Sequence, residues 1–570
     1  MRSARAWETV PAVRKVLGVI HNVTSATRLL DLLAVFEGDP RVAVVFTCTG
    51  SSAFGNGIAE FIADHELGFL PWEQARDRGA EFQLAMSTSR GGPLEEVTAP
   101  LIGCAHGAGY NKKLSKDPEP GAGVEGAGSG PAPTPGSGPG TRSEAFGLSA
   151  EWLLHDGLPI PSAIALSHDE QLARLRHGCP EALPRARVIG DPVVDELRAS
   201  LPFRREYRSA LGIRPEQKLL LVTSTWGPHS LLGSSFGLAE RALAELPQDE
   251  YRVLAAIHPN AWYEHGGHQI RNWLGAALRA GLILPHPAGP TWKAALCAAD
   301  AYVGDHGSLS LYAAALGLPG LLAAFDEDAV APGSPMAWLG RTLPRVCGDR
   351  PLAPQLDRAV RLPDAAARVT SRPGESLGLL RGLCYEHLGL AEPAAPCPPR
   401  PVPLPVLPPA ARSPLRAARY VDARLKDTGS GALVTVRRYP AEVQGRIDAH
   451  LGEGAHLVAD EAETDPRRRD LAEILLARGS TPAELFARHP ACALVVTEDA
   501  LLCLRDGRRY AARGPDPAAA ASALLTLVTQ GRTPEGEFTL RLGGAGSLLT
   551  LLPIDGSDPP RARPAPQPLR

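Results

Sequence analysis

AYVGDHGSLSLYAAALGLPGLLAAF, residues 301–325, is the stretch whose reading decides the fold. Residues 301–303 read as a short buried strand and 308–317 as an apolar helix. Gly317-Leu318-Pro319-Gly320 reads as a turn, and 320–324 as the next strand. The apolar run from Ser308 to Phe325 is long enough to raise the question of a membrane span, but the Gly-Pro turn in its middle argues against one. A strand, a helix and a second strand in this order form the unit of a parallel, helix-covered sheet.

The same alternation extends in both directions. Upstream, strands at 218–224 and 252–257, helices at 235–246 and 268–280, and a short strand at 282–284 complete one series. An earlier series has strands at 16–21, 41–47, 82–86, 99–104, 163–166 and 186–189, with helices at 25–36, 56–66 and 169–177. The expected fold class is therefore α/β, with two facing Rossmann-like domains at 1–200 and 201–390. Residues 116–143, rich in Gly, Pro and Ser, read as a flexible insertion in the first. A Pro-rich linker at 391–415 precedes a small α+β domain at 416–556, with strands at 432–438, 455–459, 493–497 and 501–505 and helices near 468–478 and 517–529. Residues 557–570 read as a disordered tail.

The 59 basic and 62 acidic residues nearly cancel, which disfavours a nucleic-acid partner. Lysine is scarce, yet Lys112, Lys113 and Lys116 stand within five positions. The nine cysteines are scattered without a Cys-x-x-Cys pair, so neither a disulfide framework nor a Cys-rich metal site is expected. The first residues carry no signal-peptide pattern, and the natural compartment is cytoplasmic.

In open α/β sheets ligands bind beyond the carboxyl ends of the strands. Five places there carry chemistry. His106-Gly107, followed by Lys112 and Lys113, offers an imidazole as general base and two cations for phosphate. His258-Pro259 ends a strand, and a His satisfied by backbone is its plainer reading. Asp305-His306-Gly307-Ser308-Leu309-Ser310 opens a helix whose free N–H groups suit phosphate, although Asp305 or Ser308 could equally be a helix cap. Ser224-Thr225-Trp226-Gly227 follows a strand, and Gly190-Asp191-Pro192 with Asp195 marks the crossover between halves. His21, Asn22, Thr24, Ser25 and Thr49-Gly50-Ser51-Ser52 face the same cleft with weaker signals. No Walker loop, Gly-x-Ser-x-Gly or His-Glu-x-x-His motif is present.

In this order and spacing, over roughly 95–325, the five places resemble the CDP-glycerol glycerophosphotransferase family of teichoic-acid polymerases and primases. More broadly they resemble the two-domain glycosyltransferases of the B fold and the related UDP-N-acetylglucosamine 2-epimerases. The family's His-Gly pair corresponds to His106-Gly107, its Gly-x-Pro-x-x-Asp to Gly190, Pro192 and Asp195, and its His-Pro to His258-Pro259. Its Asp-Tyr-Ser-Ser helix start aligns with Asp305-His306-Gly307-Ser308, and its Pro-Thr-Trp-Arg loop with Ser224-Thr225-Trp226-Gly227. His306-Gly307 and Gly227 depart from that pattern, as does Ala105 before the His-Gly pair.

The resemblance implies a transferase using a nucleotide-activated donor, such as CDP-glycerol or a nucleotide sugar, to modify a hydroxyl acceptor. His106 would be general base and Asp305 would orient the donor or its transferred group. His258, Gly307, Ser308, Ser310 and Thr225 would hold donor phosphates, with Lys112, Lys113 and Ser224 as further candidates. No metal or cofactor is implied, and the acceptor would be a polyol or a lipid-linked chain at the inner face of the membrane. That would place the protein in the bacterial cytoplasm, peripheral to the membrane at most, in cell-envelope polymer synthesis. Two alternatives stand beside this expectation. One is a UDP-sugar transferase or epimerase-like enzyme. The other is a non-catalytic binding or regulatory protein with a degenerate transferase fold, which the departures and the extra C-terminal domain favour.

Overall fold

A computed structural model describes residues 9–52, 55–113, 146–407, 418–428, 431–446, 451 and 454–554. The expected insertion at 116–143 and tail at 557–570 lie outside these residues, as does part of the Pro-rich segment.

The first series forms a sheet of six parallel strands: β1 (Arg14–Ile20), β2 (Val42–Cys48), β3 (Leu84–Ser87), β4 (Leu101–Gly103), β5 (Ala163–Leu166) and β6 (Ala186–Val188), in the order β2-β1-β3-β4-β5-β6. The second forms a four-stranded parallel sheet from β7 (Lys218–Ser224), β8 (Tyr251–Ile257), β9 (Ala301–Gly304) and β10 (Gly320–Leu322), in the order β8-β7-β9-β10. Strands such as Leu219-Leu220-Leu221-Val222 are buried on both faces because helices cover both, which is why they read as unbroken apolar runs. Residues 282–284, expected as a strand, contribute only a single bridge between Ile283 and Leu254. The expected helix at 268–280 is two short helices, Gly267–Trp273 and Gly275–Arg279.

The two lobes are tied together near their hinge. Asp191 caps the crossover helix Pro192–Ser200 and is fully buried. It accepts from Arg28 of the first lobe at 2.9 Å and from the Tyr312 hydroxyl of the second at 3.1 Å. Lys293, also buried, bonds Asp31 at 2.8 Å and Glu196 at 2.7 Å. Removing one member of such a pair typically costs ~3–5 kcal/mol, because a charge is left buried alone. Residues 376–388, within the range expected for the second domain, form a helix that packs back on the first sheet through Leu380, Cys384 and Tyr385.

The C-terminal region holds more strands than expected. A closed barrel forms from β11 (Arg419–Thr428), β12 (Gly431–Pro440), β13 (His456–Asp460), β14 (Ile474–Leu476), β15 (Leu494–Val496), β16 (Leu501–Leu504), β17 (Arg509–Arg513), β18 (Gly536–Leu542) and β19 (Ala545–Pro553). The expected helix at 468–478 is a short helix, Pro466–Leu471, followed by β14. Helix Pro517–Thr529 is buried continuously from Ala519 to Leu527, in one apolar cluster with residues from all nine strands. It therefore fills the barrel, and a helix that is apolar on every side needs such a sleeve. Arg438 fixes the barrel to the second lobe, gripping Asp249 through two bonds of 2.8 and 2.7 Å and Asp516 through one of 2.7 Å. Among the described residues no helix is long and apolar enough to cross a membrane.

Candidate functional site

Loops at the carboxyl ends of the strands bring the two lobes face to face. One point of approach joins Gly107, past β4, and Ser308, past β9. A Cβ built on Gly107 would lie 2.5 Å from the Ser308 hydroxyl oxygen, so a larger residue here would force that hydroxyl aside.

Ser308 opens the helix Ser308–Ala315. Its N-cap is Gly307, which has no side chain to satisfy the first N–H groups. The dipole leaves a partial positive charge at this start, of the kind that suits an anion. Asp305 shapes the approach. It is fully buried, one oxygen accepting from the Thr225 and Leu231 N–H groups at 2.8 Å each and the other from Gly307 N–H at 2.9 Å. Burial raises its pKa above the ordinary carboxylate value, while the three donors and Lys112 restrain the rise. Both oxygens of Asp305 are thus engaged with backbone N–H groups of the protein. Ser310 is likewise buried, with its hydroxyl 3.2 Å from that of Thr223. It braces the helix on the sheet. Ser224 accepts from Leu232 N–H at 2.9 Å, and Thr225 is buried beneath Gly307, so both build the loop.

Lys112 crosses from the first lobe into this pocket. Its backbone lies on a strap in which Asn111 and Lys113 exchange hydrogen bonds with Ala331 and Ala329, of 2.7 and 2.9 Å. Its ammonium sits 4.7 Å from the centre of the Trp226 ring, a cation–π contact. Burial lowers its pKa to about 8, with Asp305 opposing. Lys113 contributes its backbone to the strap.

Three imidazoles surround this cation. His106 has an accessible face on the cleft, yet both lobes enclose it at longer range. Enclosure first, then the charge of Lys112, lowers it to about 4. The Thr88 backbone opposes part of that shift. His258 follows β8, and its Nδ1 accepts from Asn260 N–H at 3.0 Å. Burial, Lys112 and His106 hold it well below the usual range. His306 is buried, its Nδ1 accepting from Asp326 N–H at 3.3 Å, and burial with Lys112 lowers it to about 4. His21 is half-buried and lowered by burial alone, 3.4 Å from the Thr49 hydroxyl.

The structure therefore brings together His106, Lys112, His258, Gly307 and Ser308. Sequence reading missed the place of His306 and the stacking of Lys112 on Trp226. The only signal for either was proximity to a strand end. Gly190-Asp191-Pro192 and Asp195 form the interlobe strut, where Asp195 accepts from Gly374 and Ser376 N–H groups at 2.6 and 3.1 Å. Among the described residues, no three His, Cys, Asp or Glu side chains are arranged to hold a metal ion.

No protein-family model matches this sequence, and none of the curated proteins is significantly similar to it. Among solved structures, the chain is similar to the wall teichoic acid polymerase TagF, with 13% identity and a TM-score of 0.46 over 67% of this chain and 90% of that one. It is similar to a Listeria monocytogenes protein provisionally described as a UDP-N-acetylglucosamine 2-epimerase, with 15% identity and a TM-score of 0.41 over 67% and 99%. It is also similar to Anabaena HepE in complex with UDP-glucose, with 10% identity and a TM-score of 0.33 over 66% and 95%.

Proposed function

We propose that the chain is a transferase taking a diphosphate-activated nucleotide donor on the second lobe and a hydroxyl acceptor on the first. One observation carries this reading. An uncapped helix start, Gly307-Ser308, lies against Gly107 of the opposite lobe, next in the chain to His106, and the charge of Lys112 reaches His106, His258, His306 and Asp305 alike. An anion held at Ser308 would have its charge met by helix N–H groups, by Lys112 and by His258. Such fixed donors also stabilise a departing diphosphate, so these residues supply the stabilisation from the chain itself.

His106 would take the proton of the acceptor hydroxyl as its oxygen bonds to the transferred group and the donor's diphosphate leaves. Asp305 acts at one remove, holding the Thr225, Leu231 and Gly307 backbones in place. The acceptor is a polyol or lipid-linked hydroxyl compound, and the setting is the cytoplasm or the inner face of the membrane.

The test is a thermal-shift panel with CDP, UDP, GDP, ADP, CDP-glycerol and UDP-glucose. A ligand at ~100 times its Kd adds about 2.7 kcal/mol, enough to move Tm by several degrees. The expected result is a shift with one base that is lost in His258→Ala. A cytidine-selective shift favours the CDP-glycerol reading, and a uridine-selective one the sugar-transferase or epimerase-like reading. No shift with any nucleotide would overturn the enzyme reading and favour a non-catalytic binding protein. With the donor identified, His106→Ala should lower turnover by ~10²–10⁴ and leave donor affinity unchanged.

A further inference from the structure

His258 and His306 share one local construction. Each stands within two residues of the end of a strand flanking β7. Each accepts a backbone N–H on Nδ1, from Asn260 at 3.0 Å and from Asp326 at 3.3 Å. A backbone N–H only donates, so both Nδ1 atoms must be bare. A neutral imidazole with a bare Nδ1 carries its proton on Nε2. Protonating either ring would turn N–H against N–H and add a second positive charge beside Lys112. The groups facing these rings reinforce this. His258 meets Lys112 and His106, while His306 meets Lys112, His229 and Asp326, the last the only one of opposite sign. Asp305 is spent on backbone N–H groups.

We infer that His306 is a second donor to the bound diphosphate alongside His258, and that both act as neutral N–H donors with Lys112 as the sole cation of the set. The inference rests on reading the pocket as a diphosphate site. It assigns a role to a position where the resembling family carries a different side chain, and it makes a distinctive demand on pH. Imidazolium ligands would draw an anion in more tightly as pH falls, by up to about tenfold per unit for each proton taken up. Locked neutral donors would not.

The test uses the full chain with UDP-glucose and CDP-glycerol, diphosphate diesters whose charge is constant over the range studied. Calorimetric Kd values for whichever binds should change by less than about twofold between pH 6.0 and 7.5. His306→Gln, which keeps an N–H donor near the Nε2 position, should stay within about fivefold of the parent, whereas His306→Phe should lose about ten- to hundredfold. Melting curves of both variants establish that they are folded. A merely structural role would leave the two variants equal, and that equality, or a tenfold tightening toward pH 6.0, would overturn the proposal. Ring-nitrogen NMR of the ligand-free protein separates the two layers of the argument. The Nε2–H tautomer at His258 and His306, assigned by loss of signal in the Gln variants, is expected throughout. Its presence with no binding of either diester would show that the diphosphate reading fails while the wiring holds. Its absence would show that the wiring itself fails. Either result overturns the inference.

Discussion

The two lobes present the same local device to the cleft, a strand that ends and a helix that begins, and they finish it differently. In the first lobe, helix Val23–Leu33 starts at Asn22, whose side chain accepts from Ser25 N–H at 2.8 Å while the Ser25 hydroxyl accepts from Asn22 N–H at 2.9 Å. That capping box closes the helix start upon itself. In the second lobe, helix Ser308–Ala315 starts at a glycine without a side-chain cap. On the proposed reading, this one N-cap residue, more than the shared topology, separates the donor side from the acceptor side.

Three substitutions break or sharpen that contrast. The largest effect is expected from Gly307→Asp, which would cap the open helix with a carboxylate and place a negative charge where the donor phosphate should lie. Its φ of −81° suits any residue, but a Cβ there would stand 3.0 Å from an Asp305 oxygen, so the loop must yield slightly. Donor affinity should fall by about a hundredfold or more, as expected when a charge-assisted contact becomes a like-charge one. Calorimetry against the donor identified above checks this.

The next effect concerns acid stability. His306 is held neutral in the folded state with a pKa of about 4, whereas the unfolded chain protonates near 6.5. Above pH 6.5 the difference costs nothing. Below it the unfolded chain takes up a proton that the fold refuses, and stability falls until the folded pKa is reached. The loss from this residue approaches ~3 kcal/mol near pH 4. Urea unfolding from pH 7 to 4 should show a shallower decline in His306→Gln than in the parent.

The smallest effect is expected from Asn22→Ala, which opens the first-lobe cap. It should cost ~1 kcal/mol of stability, read from the urea midpoint, and leave donor affinity unchanged. A change in donor binding there would show that the first-lobe helix start also meets the ligand.

The α/β alternation was legible because buried parallel strands are continuous apolar runs, and Leu219–Val222 needs no partner to be recognised. The barrel was less so. Its strands are short, and Ile474–Leu476 is only three residues beyond a helix, so the two merge into one apparent helix. His106, His258 and Gly307-Ser308 were found because strand ends mark where ligands bind. The roles of Asp305 and Ser310 were not, because their partners Thr225, Leu231 and Thr223 lie some 74 to 87 residues away in the chain. Helix Ser376–Leu388 was not read from the sequence, and its packing on the first sheet joins residues some 300 positions apart.

The strap that carries Lys112 gives the cleft a mechanical property. The cation belongs to the first lobe's chain but serves the second lobe's pocket, held there by two backbone hydrogen bonds to Ala329 and Ala331 and by the Trp226 face. The strap thus works as a splice: the pocket's charge is carried by one lobe's chain and anchored on the other's, so the electrostatics of the second lobe depend on a backbone seam between the two.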